Sequence, residues 1–315
     1  MENTENTIKH KNLTALFMAW GNFTVIPCPY KHWDSRLNHR MLMYLPVIGA
    51  VIGIVWVVIL TVLRRIGLPS LLTAAFAEFL LFRLCGYMHL DGFMDVSDAV
   101  MSRRPLEERQ RILKDSRVGA FAAVSLVFLL ILWFAAAASL FSSAAPGSAE
   151  AMGQSERHWA AVFGGGSARP VYCMLPSLLA LVPVFSRACA GRMVLTYAPI
   201  RTSQYAEGKN DPDQWKYRIG VYVLSALAAV LFCGLGSVLY VHGHGISAEA
   251  ELQRLGLFPC ILIFALGLMF IMWTAGWTAC RHARRQLGGM NGDIAGYTIC
   301  ISELAGMIAL ALIYM

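Results

Sequence analysis

The side chains able to do chemistry crowd into one stretch. It runs His89-Leu-Asp-Gly-Phe-Met-Asp-Val-Ser-Asp98, then a short basic segment, then Lys114-Asp-Ser-Arg-Val-Gly119. Asp91, Asp95 and Asp98 stand at i, i+4 and i+7. At 100° per residue they point within roughly 60° of one another on one helical face. Three carboxylates on one face repel unless a cation neutralises them, and near a membrane that repulsion is costly. Oxygen-only ligands suit Mg²⁺, with Mn²⁺ as the alternative ion, and such ions are usually shared with substrate phosphates. The bland alternative is a solvated acidic helix end. Gly92 permits close backbone approach. His89, Asp95 and Asp115 are the groups that could accept a proton, although a histidine in this position also suits a membrane interface.

The basic segment from Arg103 to Lys114 reads as a short amphipathic helix. Pro105 sits in its first turn, Glu107 and Glu108 suit its N-terminal end, and Arg111 and Lys114 suit its C-terminal end. Such a helix can rest on lipid headgroups or turn its cations toward phosphates, and the two uses are compatible. Lys114 and Arg117 flank Asp115, a combination that can clamp phosphoryl charge while the acid binds metal or takes a proton. A second cluster, Leu287-Gly-Gly-Met-Asn-Gly-Asp293, follows Arg281, Arg284 and Arg285. Gly288 and Gly289 ahead of a helix are expected to present N–H groups to an anion. Asp293 also suits a helix N-terminus on dipole grounds alone. Glu78, Arg187 and Glu303 are ionisable groups inside apolar runs, and are either functional or paired with one another.

The elements that must position these residues are membrane spans. Of 315 residues 57% are hydrophobic and 14% charged, where a soluble domain carries about 25% charge. The apolar residues fall in runs of about 20, the length that crosses a bilayer as helix. The expected fold is all-α: a polytopic transmembrane bundle of about seven spans, an N-terminal interfacial or re-entrant helix from Leu13 to Pro27, and a short cytoplasmic amphipathic helix. The spans are expected at Met41–Leu63, Pro69–Leu90, Val118–Phe141, Val171–Tyr197, Arg218–Val241, Gly256–Cys280 and from Asp293 to the C-terminus. Residues 1–12 read as a polar tail and 13–315 as a single integral-membrane catalytic domain. With seven spans, 18 of the 26 Lys and Arg lie in the tail and the loops after spans two, four and six, 5 lie on the other side and 3 within spans. That bias puts the N-terminus and the acidic stretch in the cytoplasm. The net charge of +7 therefore describes loop sidedness, and no nucleic-acid partner is expected. The eight cysteines are scattered without a CxxC pair and read as small buried hydrophobes. No apolar signal segment opens the chain, and no long-period repeat is evident.

In their order and spacing, His89-Leu-Asp-Gly-x-x-Asp-x-x-Asp98, Lys114-Asp-Ser-Arg-x-Gly119, Leu287-Gly-Gly-x-x-Gly-Asp293 and Glu303-Leu304 resemble the cobalamin synthase family, the adenosylcobinamide-GDP ribazoletransferases. The likeness extends to Thr24-Val-Ile-Pro27 with Trp33, to Arg187, and to Tyr197-Ala-Pro-Ile-Arg201 with Gly208, covering about residues 13 to 314. This sequence departs from the family pattern at Ala99, where a glycine is usual, and at Asn291, where threonine is commoner. The resemblance implies a late step of vitamin B12 assembly at a bacterial inner membrane. Adenosylcobinamide-GDP and α-ribazole, or its 5′-phosphate, give the cobalamin or its phosphate and GMP. It further implies Mg²⁺ on Asp91, Asp95 and Asp98, and phosphate contacts from Lys114, Arg117, Arg103 and Arg104. Asp115 or His89 would accept the proton, and Asn291 and Asp293 would bind a sugar or complete a metal shell. Arg187, Gly288 and Gly289 complete the expected substrate contacts. The partners implied are the corrinoid nucleotide, the ribazole substrate and the lipid bilayer. A homo-oligomer and association with other cobalamin-assembly enzymes stay open. Two rivals are weighed against this. A CDP-alcohol phosphatidyltransferase needs an Ala-Arg step and a Gly-x-x-x-Asp-x-x-x-Asp ending, both missing after Asp91. A transporter would carry its acids mid-span and often shows repeated halves.

Overall fold

A backbone in hydrocarbon must bond its own polar groups, so long apolar runs fold as helices. The computed structural model describes residues 10–143, 169–200, 203, 212–244 and 248–314. Over these residues the chain is helical, with one isolated parallel bridge between Pro199 and Met290. The helices are α1 (Lys11–Phe23), α2 (Asn38–Met43), α3 (Leu45–Arg65), α4 (Ser70–Leu84), α5 (Met88–Met101), α6 (Leu106–Ile112) and α7 (Ala120–Ser143). After them come α8 (Arg169–Val194), α9 (Gln214–His244), α10 (Ala248–Leu287) and α11 (Gly292–Tyr314). Six of them, α3 and α7 to α11, are long and apolar enough to cross a membrane, and α4 with α5 makes a seventh if the bent pair counts as one span. The all-α polytopic expectation is met.

Contacts at the two ends of the bundle show how that pair runs. Arg64, at the end of α3, lies over the ring of Phe141 at the end of α7. At the opposite end, Gln110 Nε2 donates to the Leu287 carbonyl at 2.8 Å and Arg109 bonds Gln286. There too Arg218 Nε donates to the Leu195 carbonyl at 2.7 Å, and Arg40 to the Tyr217 hydroxyl at 3.3 Å. The segments expected to share a side, after spans two, four and six and before span one, therefore gather at one end. The α4–α5 pair enters from the Arg64 end and leaves at the Gln110 end, so it is a broken crossing.

Helix α8 runs through the middle of the bundle, with nearly all of its Met174–Val194 stretch buried. Two boundaries differ from expectation. Span two is two helices bent by 89°. Helix α10 continues past Cys280 to Leu287, so Arg281, Arg284 and Arg285 are helical. Cations in the final turns complement the negative end of the helix dipole and let the helix run on. Helix α1, 13 residues long, is too short to cross, as expected. The expected 142–169 connection and the 1–12 tail lie largely outside the described residues.

Candidate active site

The site begins at the bend. Gly86 and Tyr87 are both left-handed, at φ 65° and 62°, and two such residues in succession stop a helix and redirect it. Tyr87 N–H closes α4 on the Phe82 carbonyl at 3.1 Å, and Asp91 N–H opens α5 on the Tyr87 carbonyl at 3.1 Å. The N-terminal turn braces the bend, with Val25 N–H donating to the Leu84 carbonyl at 2.9 Å. Thr24 Oγ1 accepts from Ile26 N–H at 2.7 Å within that same turn.

Helix α5 buries His89, Gly92, Phe93, Val96, Ser97 and Ala99. Its other face carries Asp91, Asp95 and Asp98, the common face that their spacing predicts. The buried face meets α11 closely. A Cβ on Gly92 would lie 2.8 Å from the Asp293 carbonyl oxygen, and one on Gly296 would lie 3.1 Å from the His89 oxygen. Asp293 is thereby brought to the acid row from the far end of the chain. Asn291 caps α11, accepting from Ile294 N–H at 3.0 Å, and its Nδ2 holds Asp293 Oδ2 at 2.6 Å.

Three cavities meet here. One of about 230 Å³ has Asp91, Asp95 and Asp98 on one wall and the Lys114–Gly119 segment on the other. Gly119 matters to it, because a Cβ there would fall on the Asp98 carboxylate. A second, about 110 Å³, is lined by Gln110, Lys114, Ile200, Ser203, Asn291 and Asp293, among others. A third, about 270 Å³, runs from Asp91, His89 and Asp293 into apolar side chains between α1, α3, α8 and α11. Asp91, Lys114 and Asp293 each belong to two of the three and mark the junction. The two halves of the motif pattern thus face one another.

Charge at the junction is unbalanced. The carboxylates of Asp91, Asp98 and Asp293 all stand close enough to Asp95 to interact with it electrostatically. No salt bridge among the described residues reaches any of the four. Lys114 lines two of the cavities without an ion-pair partner among the described residues. As placed, no three His, Cys, Asp or Glu side chains among the described residues converge as a ready metal cage. The acids instead line a cleft wall. That arrangement fits an ion held by one or two carboxylates and completed by water and phosphate, as Mg²⁺ is, rather than an all-protein cage.

Several expected residues stand elsewhere or do something different. Asp115 is bonded by Arg117 through its backbone N–H at 3.1 Å and its guanidinium at 2.7 to 3.3 Å. Arg117 thereby holds the Asp115 carboxyl down to about 2, so it is a poor proton acceptor at neutral pH. The pairing is local: Asp34-Ser-Arg36 closes in the same way, Arg36 donating to Asp34 at 2.9 to 3.2 Å. Arg103 and Arg104 are exposed, and neither lines any of the three cavities. Arg187, fully buried, gives one guanidinium nitrogen to Glu303 at 2.7 Å and another to Cys85 Sγ at 2.7 Å. It lines the third cavity as half of an ion pair rather than as a free phosphate ligand.

Gly288 is left-handed at φ 81°, and its N–H closes α10 on Arg284 at 2.9 Å. Gly289 admits the neighbouring chain, since a Cβ there would sit 2.8 Å from Ile200 N. The pair therefore ends a helix and packs, and Gly288 N–H is not free for an anion. The 198–200 segment that it admits is held by Ile200 N–H to Met290 O and Met290 N–H to Ala198 O, both 2.9 Å. His89 is buried and lines the third cavity. Sequence reasoning missed Gln110, Ile200 and Ser203 as site-lining residues. Only the Pro199-Ile200 turn carried a signal, in the likeness of Tyr197–Arg201 to the family.

The chain matches the family model described as Cobalamin-5-phosphate synthase over residues 15–311. It is 31% identical over 304 residues to proteins of Clostridium perfringens strains SM101 and 13, each named adenosylcobinamide-GDP ribazoletransferase. Those alignments cover 95% of this chain and 98% of each relative. A protein of the same name from Desulfitobacterium hafniense strain Y51 is 28% identical, over 96% of this chain and 99% of its own. No solved structure matches.

Proposed function

The chain belongs to the cobalamin-5-phosphate synthase family of enzymes, and from that footing we propose that it joins adenosylcobinamide-GDP to α-ribazole or its 5′-phosphate and releases GMP. This is a late step of vitamin B12 assembly, carried out by a multi-pass membrane protein. A ribose hydroxyl oxygen attacks the phosphorus that bears the corrinoid arm. The bond from that phosphorus to the bridging oxygen breaks, and GMP leaves with the electron pair.

The observation that carries this reading is the acid row of α5 facing the Lys114–Gly119 segment across one cavity. Asp293 adjoins the row from the opposite end of the sequence. Lys114 reaches the first two cavities and binds phosphate oxygens from either. Arg117, mostly exposed, adds charge at the rim while it restrains Asp115. His89 lines the cavity that also holds Asp91 and Asp293, where it is placed to take the hydroxyl proton. Asn291 fixes the rotamer of Asp293. One or two of the row Asp91, Asp95 and Asp98 would hold Mg²⁺ together with water and phosphate, and the ion would supply neutralisation of charge on the diphosphate and on the leaving phosphate. The excess of Lys and Arg on the loops at this end supports a site on the cytoplasmic face of a bacterial inner membrane.

The test is GMP release by the purified protein in detergent or proteoliposomes, with each component omitted in turn. Release should need adenosylcobinamide-GDP, the ribazole acceptor and Mg²⁺ together. GMP appearing at the same rate without acceptor, or no GMP under any condition, would refute the reading.

A further inference from the structure

The three cavities differ in chemistry as well as size. The first two are walled by carboxylates, Lys114, Arg117, Gln110 and Asn291, a setting for a diphosphate and a cation. The third meets them at Asp91 and Asp293, then runs inward between Phe23, Leu45, Ala190, Val194 and Ile299, with His89 on its wall. Phe23, Leu45, Ala190, Val194 and Ile299 are all buried, so this wall is a built interior surface rather than a lipid-facing groove. Arg187, its one cationic side chain, is committed to Glu303.

We infer that this third cavity is the subsite for the heteroaromatic base of the acceptor nucleoside. The inference rests on the transferase reading above. The reaction brings together two molecules of opposite character. The donor presents an anionic diphosphate, a guanine and a bulky corrinoid. The acceptor presents a neutral, flat, two-ring base with an apolar edge, attached to a ribose. The apolar part of the wall stabilises such a base by burial, and Asn22, His89, Asp91 and Asp293 are polar side chains of the same lining that remain to meet its ribose. At about 270 Å³ the cavity is of a size for one small ring system and too small for a corrinoid. A base seated in it leaves its ribose at the mouth beside Asp91 and Asp293. That is where a hydroxyl must lie to reach a phosphorus held by Lys114.

The test narrows the cavity from two sides, with Ala190→Leu on α8 and Ala295→Leu on α11, both in the full-length membrane protein. GMP release is measured with adenosylcobinamide-GDP and either the dimethylbenzimidazole riboside or the unsubstituted benzimidazole riboside. A methyl-scale change in an apolar pocket discriminates by about 10-fold or more. At least one variant should therefore shift the kcat/KM ratio toward the smaller base by that factor, with KM for the corrinoid nucleotide changed less than twofold. A general folding defect would lower both rates, shift the thermal transition and leave the ratio alone, so an unchanged ratio in a variant that keeps the wild-type thermal transition overturns the assignment. A raised KM for the corrinoid nucleotide with an unchanged acceptor ratio also overturns it, by giving the cavity to the donor. An inactive wild-type protein would instead sink the transferase reading on which the inference stands.

Discussion

Gly92→Ala should damage catalysis while leaving the bundle folded. The added Cβ would lie 2.8 Å from the carbonyl oxygen of Asp293 and 2.9 Å from its Cα. Carbon atoms pack at about 3.5–4.0 Å, so the start of α11 must move away from α5 by about 0.6–1 Å. Both obstructing atoms are backbone, so no rotamer change relieves the clash. The displacement acts on the residue that brings the second motif to the first. A misplacement of about 1 Å costs on the order of 10²-fold in rate, and kcat for GMP release should fall by ~10- to 100-fold. Overpacking costs about 1–3 kcal/mol, offset by about 0.5–1 kcal/mol for replacing a helical glycine, so thermal unfolding in detergent should shift only modestly. Gly267→Ala is the control, because nothing stands within 4 Å of its added Cβ; it should match wild type in rate and unfold no earlier than wild type. A Gly92→Ala enzyme with kcat within twofold of wild type would refute the claim that α5 and α11 together set the site's geometry.

Asp95→Asn, at the centre of the acid row, should lower GMP release on the order of 10³-fold and remove its response to Mg²⁺ titration, with the thermal transition retained. Near-normal, Mg²⁺-dependent turnover would discard the metal assignment. Asp115→Asn should leave the acidic limb of the kcat/KM–pH profile unmoved. The folded carboxyl titrates near 2, below a free carboxylate, so the Asp115–Arg117 contact is fully present above about pH 4 and is lost only as pH falls toward 2. Loss of that limb in the variant would show that Asp115 is the proton acceptor after all. Arg187→Met should destabilise by about 3–5 kcal/mol, because it strands the Glu303 carboxylate inside the protein. Arg187→Met with Glu303→Leu should recover most of that loss in thermal unfolding, and a double variant no better than the single would deny that the two charges act as a pair.

The features legible in the sequence were those set by local periodicity. Runs of apolar residues marked the crossings, and 100° per residue put Asp91, Asp95 and Asp98 on one face. What escaped depended on contacts between distant segments. Nothing in Leu84-Cys-Gly-Tyr-Met-His-Leu90 breaks the apolar run, and a left-handed tyrosine is rare enough that a glycine before it does not announce a right-angle turn. Gly288 and Gly289 read as an anion nest until the 198–200 segment, over eighty residues earlier, was found lying against them. For Arg187 the sequence leaves phosphate binding and ion pairing both open, and only the fold selects Glu303, 116 residues downstream, as its partner. The Asp115–Arg117 pair is the opposite case. It is set by a spacing of two residues, and its duplicate at Asp34–Arg36 was in plain view.

The bend itself follows from what the acid helix has to satisfy. Fifteen residues of α4 span about 22 Å, short of the roughly 30 Å hydrocarbon thickness. Run straight on to Met101, the pair would extend over about 48 Å, well past that thickness. The turn of 89° instead packs α5 against α7 and α11. His89, Phe93, Val96 and Ala99 are then buried against the bundle, while the carboxylates keep a cavity in front of them. Partial burial there is a liability for Asp95, Asp98 and Asp293, and on the reading proposed above that liability is the source of their use. Where solvent screening is weak, the attraction between those carboxylates and a cation carrying a diphosphate is much stronger than it would be in open water. A site proposed to gather mutually repelling acids around an ion is therefore better built on a rigid helix packed through two glycine contacts, Gly92 and Gly296, than on a loop free to relax.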